Sequence, residues 1–341
     1  MAQNETVYDH IWKNNLKTVF LIFLFVAMAM GVVWCVIWIA VYLSSSDGDF
    51  ILRSVQTTID IFPDVAEKVN ETNRTYYATL GYFVISIIPT ILFSIAWLTY
   101  IYFFGEQNLL FVSRAEEAPK QEYRRLYTSV ESVAIMAGLP TPKVYIIDDD
   151  SMNAFTTGTR SDNAAMVFSK GIIKSLTPLE LEGVIAHEMS HIGNHDLLLN
   201  LILIEGIDIF NFLSDSARAF TFEAGTRIRK PESFITLLSS LLSLCFRFIS
   251  CVISPVIYVL ISRTREYNAD ATGAKILHNP KALADALHKI GLDPRIERLG
   301  QAFASICIVD HRHSCAHLAK GGILSTHPPI RKRIQRLRSM I

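Results

Sequence analysis

The residues best suited to chemistry are His187, Glu188 and His191, in the run His187-Glu188-Met189-Ser190-His191. Residues four apart in a helix lie one above the other on one face, so both imidazoles can reach a single ion. Glu188 stands beside the first histidine, near enough to take a proton from a metal-activated water without ligating the metal. Histidine nitrogens with a carboxylate oxygen suit zinc, and three protein ligands leave a fourth position open. Zinc lowers the pKa of a bound water to about 7, where a carboxylate can serve as its base. The spacing alone would also suit two histidines on a polar helix face, so the surrounding sequence has to decide.

That surrounding sequence is a well-specified helix. Thr177 is placed to cap it, Pro178 takes the first helical position, and Glu180 completes a capping box. The pattern predicts a helix to about His195, with Leu181, Val184 and Ile185 as its buried face. His195 extends the stripe of His187 and His191, yet three ligands on one straight helix project in parallel and cannot converge on one tetrahedral ion. A third donor must come from another element. Glu266 and Asp270 in "SRTREYNAD" are again four apart. One carboxylate could ligate while the other orients a histidine through its second nitrogen.

The positioning elements divide between membrane and water. Half of the 341 residues are hydrophobic and 19% are charged, against about 25% charged in soluble chains; the mean hydropathy is +0.30. Residues 18–43 carry no charge and are long enough to cross ~30 Å of hydrocarbon. No small-residue cleavage signature follows them, so a membrane anchor is expected rather than a signal peptide. A second span is expected over residues 78–104, kinked at Pro89, with Trp97, Tyr100, Tyr102 and Phe103 as an aromatic belt. Lys13 and Lys17 precede the first span, and Arg114, Lys120, Arg124 and Arg125 follow the second. Between them, residues 44–77 hold three basic residues against six acids. The positive-inside rule therefore puts the tail 1–17 and everything after residue 104 in the cytoplasm, and the loop 44–77 outside.

From Arg114 the sequence turns soluble-like. An amphipathic helix is expected over 122–137, and short strands over 143–147 and 164–168. Residues 105–196 then form the first part of a catalytic domain and 262–341 the second. Between them, the apolar segments 197–213 and 234–261 suggest a hairpin packed on the first two spans, despite Glu205, Asp208 and Arg247 within it. Entry and exit on one membrane side is required if His191 and Glu266 share an ion, and a pair of segments satisfies that parity. The expected fold class is α+β: mostly α with a small β-sheet, a membrane helical bundle carrying a cytoplasmic catalytic domain.

Charge and cysteines exclude other classes. Lys+Arg and Asp+Glu balance at 32 each, so no basic field exists to hold nucleic acid. Five cysteines without a C-x-x-C form no disulfide framework, and three of them, Cys35, Cys245 and Cys251, lie in apolar runs. The basic C-terminal run "IRKRIQRLRSMI" reads as a solvated or lipid-facing helix face. His311, His313, Cys315 and His317 alternate within a polar stretch that reads as a surface loop, with a second metal site as the other reading.

Taken together, "AHEMSHIGNHD" and "SRTREYNAD" resemble the HtpX-type membrane zinc metallopeptidases, relatives of the CAAX prenyl proteases. "NAFTTG" and "STHPPIRKRI" are similar to two further elements of that family, and the four motifs stand in the family's order. The resemblance implies a zincin-like domain in which His187, His191 and Glu266 ligate one Zn2+, Glu188 is the general base and Asp270 supports a ligand from behind. It also implies Asn153 on an edge strand in substrate or transition-state contact, and His327 in stabilising the transition state. The implied activity is zinc endopeptidase cleavage of polypeptides, misfolded or damaged membrane proteins among them, at a bacterial inner membrane with the site facing the cytoplasm. Alternatives are a CAAX-type prenyl-peptide protease, a catalytically silent scaffold, or a transporter using the charges of the apolar segments.

Overall fold

The computed structural model describes residues 74–227, 234–249, 254–292 and 328–341, with scattered helical positions within 16–34 and 56–60. His327, the His311–His317 cluster and most of the expected first span lie outside the described residues, as do Cys35, Cys251, Cys307 and Cys315. Two compact units emerge: one of residues 1–20, 100–207 and 253–341, the other of residues 21–99 and 208–252.

The first long element is α1, Arg74–Val112, which passes through Pro89 without interruption. Its apolar window is Ser86–Val112, with Ile88, Leu92, Phe93, Phe103 and Phe104 all exposed. This window overlaps the expected span 78–104 and runs on past Glu106 through Leu109, Leu110, Phe111 and Val112. Exposed aliphatic and aromatic side chains over this length suit a lipid environment.

A four-stranded sheet follows, built of β1 (Glu116–Glu117), β2 (Lys143–Ile147), β3 (Ala154–Thr157) and β4 (Ala165–Ser169) in the order β1-β2-β4-β3. β2 and β4 are parallel, pairing Tyr145 with Val167, while the outer strands β1 and β3 are antiparallel to their neighbours. Helix α2 (Arg124–Ala137) packs through Leu126, Val130, Val133 and Ala134 and ends at Gly138, whose φ of 66° is open to glycine at little cost. The short helix α3 (Lys170–Ser175) is capped by the Ser169 hydroxyl, which accepts from the Ile172 N–H.

Helix α4, Pro178–Gly193, is the spine of this unit. Its capping box forms as the sequence dictates: Thr177 accepts from the Glu180 N–H, and Glu180 accepts from the Thr177 N–H at 2.7 Å. Val184, Ile185, Met189 and Ile192 are fully buried against α2, the sheet and the helices that follow. The helix stops two residues short of His195, which takes a left-handed turn at φ 60° instead of extending the histidine stripe.

The remaining elements are α5 (Asp196–Arg227), α6 (Phe234–Phe248), α7 (Ser254–Leu277), α8 (Pro280–Ile290) and α9 (Ile330–Arg338). Among the described residues only α1 and the Asp196–Ser216 part of α5 are long and apolar enough to cross a bilayer. Within the expected segment 234–261, α6 contributes 15 residues and Pro255 sits in the first turn of α7, where its missing N–H is not required; residues 250–253 between them lie outside the described residues. Glu205, one of the apolar-segment charges, accepts a hydrogen bond from Asn108 Nδ2 at 2.8 Å. In the second unit, Arg247 faces Asp215 at 3.5 Å.

Packing of α7 on α4 decides whether a site can form. A Cβ on Gly273 would stand 2.9 Å from the His187 backbone nitrogen, so only glycine admits this approach. The Ser190 hydroxyl lies 3.2 Å from the Ala269 carbonyl across the same contact. Gly273→Ala is expected to force the two helices apart and to cost about 1–3 kcal/mol of overpacking. A lowered melting temperature of the detergent-solubilised protein is the measurement, and an unchanged one would mean the approach is relaxed elsewhere.

Candidate metal centre

His187 and His191 project from α4 with ring centroids 4.9 Å apart and planes at 88°. Both are buried, as is Glu188 between them in sequence. From α7, Glu266 meets both rings: its Oε2 lies 3.6 Å from His187 Nε2 and its Oε1 3.6 Å from His191 Nε2. Candidate donor atoms of the three residues all fall within 4.8 Å of one another. Ligands about 2.1 Å from a tetrahedral zinc stand about 3.4 Å apart. The donor set and its spacing therefore fit that ion.

The opposite nitrogens are each backed by a carboxylate. His187 Nδ1 lies 3.1 Å from Asp270 Oδ1, and His191 Nδ1 lies 2.8 Å from Asp196 Oδ2. This arrangement turns Nε2 of both rings towards Glu266, and the hydrogen bond to Asp196 favours the His191 tautomer with its lone pair on Nε2. Behind Asp270 stands Arg333, which donates from Nε to Oδ2 at 2.8 Å and from Nη2 to Oδ1 at 2.7 Å. Its Nη1 is also 3.3 Å from Glu266 Oε2. The guanidinium is 1% exposed and supplies the positive charge that two buried carboxylates require. It also holds the Asp270 carboxyl below the usual carboxylate range, against the opposing effect of burial.

Burial alone would lower the His191 pKa, but the Asp196 hydrogen bond and the charges of Asp196, Glu266 and Glu188 push it up to about 9. The imidazolium–carboxylate attraction is thus fully present below the unfolded value near 6.5 and is lost as pH rises through about 9. The chelator-treated protein is expected to lose stability across that window, while zinc uptake, which must displace the proton, improves. Melting temperatures at pH 6, 7.5 and 9, with and without chelator, test the sign; parallel pH trends for both forms would contradict it.

Glu188 is held from the sheet. Thr156 on β3 donates its hydroxyl hydrogen to Glu188 Oε2 at 2.9 Å, with both groups buried. Asn153 immediately precedes β3; its backbone N–H donates to Ser169 Oγ at 3.0 Å and its carbonyl accepts from the Ser169 N–H at 2.9 Å.

Four residues here escaped the sequence reading: Thr156, Asp196, Arg265 and Arg333. The basic C-terminal helix was expected to be a solvated or lipid-facing face; Arg331, Lys332, Arg336 and Arg338 are exposed, and Arg333 alone among its basic residues is buried. Its neighbour Arg336 lies 3.8 Å over the ring of Tyr267, joining α9 to α7. The signal was available: Arg333 and Leu337 are four apart and both buried, so the inward stripe of α9 includes an arginine.

Two imidazoles on one helix, a carboxylate from another and a glutamate beside the first histidine define a metallopeptidase-type centre. Residues 120–341 match the family described as Peptidase family M48. The chain belongs to that family and is a membrane-bound metalloprotease similar to the HtpX proteins. It is 37% identical over 255 residues to a protease HtpX homolog of Bacteroides fragilis, covering 73% of this chain and 79% of the relative. A protease HtpX homolog of Dictyoglomus turgidum is 37% identical over 268 residues, covering 77% and 86%. The crystal structure of S. mikatae Ste24p aligns at a TM-score of 0.43 and 21% identity, over 88% of this chain and 64% of that one.

Proposed function

We propose that the chain is a zinc endopeptidase of the bacterial cytoplasmic membrane, its site on the cytoplasmic side, acting on polypeptides that include misfolded or damaged membrane proteins. The observation that carries the reading is the convergence of His187 Nε2, His191 Nε2 and the Glu266 carboxylate, with Glu188 held alongside by Thr156. His187, His191 and Glu266 hold one Zn2+, and Asp270 orients His187. Bound there, zinc acidifies water and polarises the scissile carbonyl as a Lewis acid.

The chain's own residues supply the rest. A peptide lies along β3, the terminal strand of the sheet, main chain to main chain. Thr156 occupies one oxygen of Glu188, which leaves the other to accept a proton from the attacking water. Glu188 then passes that proton to the departing amine nitrogen. Asn153 and His327 donate to the developing oxyanion. The charge pattern around the first two spans supports the cytoplasmic orientation, and the exposed apolar side chains of α1 support membrane proximity of the substrate.

Purified in detergent, the protein is expected to cleave casein, to stop on chelation and to recover on adding zinc. Glu266→Gln removes a charged ligand and should lower zinc content well below one per chain. Full occupancy in that variant would mean the third ligand lies elsewhere, and chelator-resistant cleavage would overturn the metal reading.

A further inference from the structure

Both histidines of the centre are backed by an aspartate that in turn faces an arginine. His187–Asp270–Arg333 ends on α9. The second series runs His191–Asp196–Arg265–Asn200 and ends on α5. We propose that Asp196 and Arg265 are positioning residues for the metal, and that the first turn of α5 is thereby built into the centre.

The geometry is as follows. Asp196 opens α5, is 1% exposed, and takes His191 Nδ1 at 2.8 Å through Oδ2. Its other oxygen faces Arg265 Nε at 3.9 Å. Arg265, 3% exposed, donates from Nη2 to Asn200 Oδ1. Asp196 and Asn200 are four apart, so they share the face of α5 that meets α7. Arg265 directly precedes Glu266, so a single turn of α7 provides both the third ligand and the positive charge facing the aspartate behind the second.

Three consequences follow from chemistry alone. A buried aspartate needs a counter-charge, and Arg265 is close enough to supply it. An Nδ1–H held by Asp196 leaves the Nε2 lone pair of His191 directed at the Glu266 side. Because Asn200 anchors the arginine on the same face of α5, a rotation or slide of α5 moves Asp196 and tilts the His191 ring. Metal affinity is therefore set partly by the helix whose apolar window, Asp196–Ser216, begins at this residue.

The proposal rests on the zinc reading, and the experiment separates the two. Zinc dissociation constants are measured by competition with a chromophoric chelator on the full chain in detergent, alongside metal-free melting temperatures. Loss of an outer partner of this kind weakens metal binding by about 10–100-fold. Asp196→Asn and Arg265→Gln are each expected to fall in that range, and the double variant to be no weaker than the worse single one. Arg265→Lys, which keeps the charge, should restore most of the affinity, and Asn200→Ala should weaken binding several-fold while also lowering the metal-free melting temperature, because it leaves a buried guanidinium donor unpaired. If wild type binds no zinc, the zinc reading itself falls. If wild type binds tightly and all variants stay within twofold, or if Asp196→Asn and Arg265→Gln add independently, the positioning role is overturned. Should Asp196→Asn not fold, Asn200→Ala and Arg265→Lys against Arg265→Gln decide the matter, and equal affinity among them overturns it.

Discussion

Glu188→Gln is expected to lower the rate of casein cleavage by about 10²–10⁴-fold, the usual contribution of a positioned acid–base group, with zinc content unchanged. Glutamine keeps the shape of the side chain and can still accept from Thr156, which donates to Oε2 at 2.9 Å. It cannot take up a proton at neutral pH. Glu188 is outside the set of three donors that face one another, so its replacement leaves the ligand shell intact. Zinc per chain by elemental analysis and turnover by peptide release are the two readings. Retained metal with lost turnover supports the base; undiminished cleavage removes Glu188 from the mechanism, and lost metal makes it a ligand.

Arg333→Met carries the largest expected effect on stability. The arginine neutralises Asp270 and faces Glu266, and neither carboxylate is accessible to water. Removing one partner of a buried ion pair costs about 3–5 kcal/mol, because the remaining charge stays desolvated. A fall of several degrees in the melting temperature of the metal-free protein is expected. Added zinc should recover part of it, since a dication supplies positive charge beside the same carboxylates. A variant as stable as wild type without zinc would show that the carboxylates accept protons instead.

How legible was this from sequence? The α4 helix announced itself because capping is local chemistry, written in Thr177, Pro178 and Glu180. β2 was expected at its observed limits, and β4 one residue early. β3 was expected only through the family resemblance, as the edge strand at Asn153, since Ala154–Thr157 is buried on both faces and shows no alternation to read. Hydropathy misled most at α9: it counts Arg333 as surface, whereas the partner that makes its burial tolerable lies on α7, far away in the chain. Asp196 was hidden for a related reason. A break between Gly193 and Asp196 turns the chain, so helical spacing from His191 gives no hint that the two side chains meet.

His187 and Arg333, which both face Asp270, stand 146 residues apart in the chain, with α5, α6, α7 and α8 between them. During translation, α4 leaves the ribosome long before the carboxylates and the guanidinium that complete its surroundings. A nascent polypeptide that ends before α7 holds both histidines but lacks Glu266, the third donor.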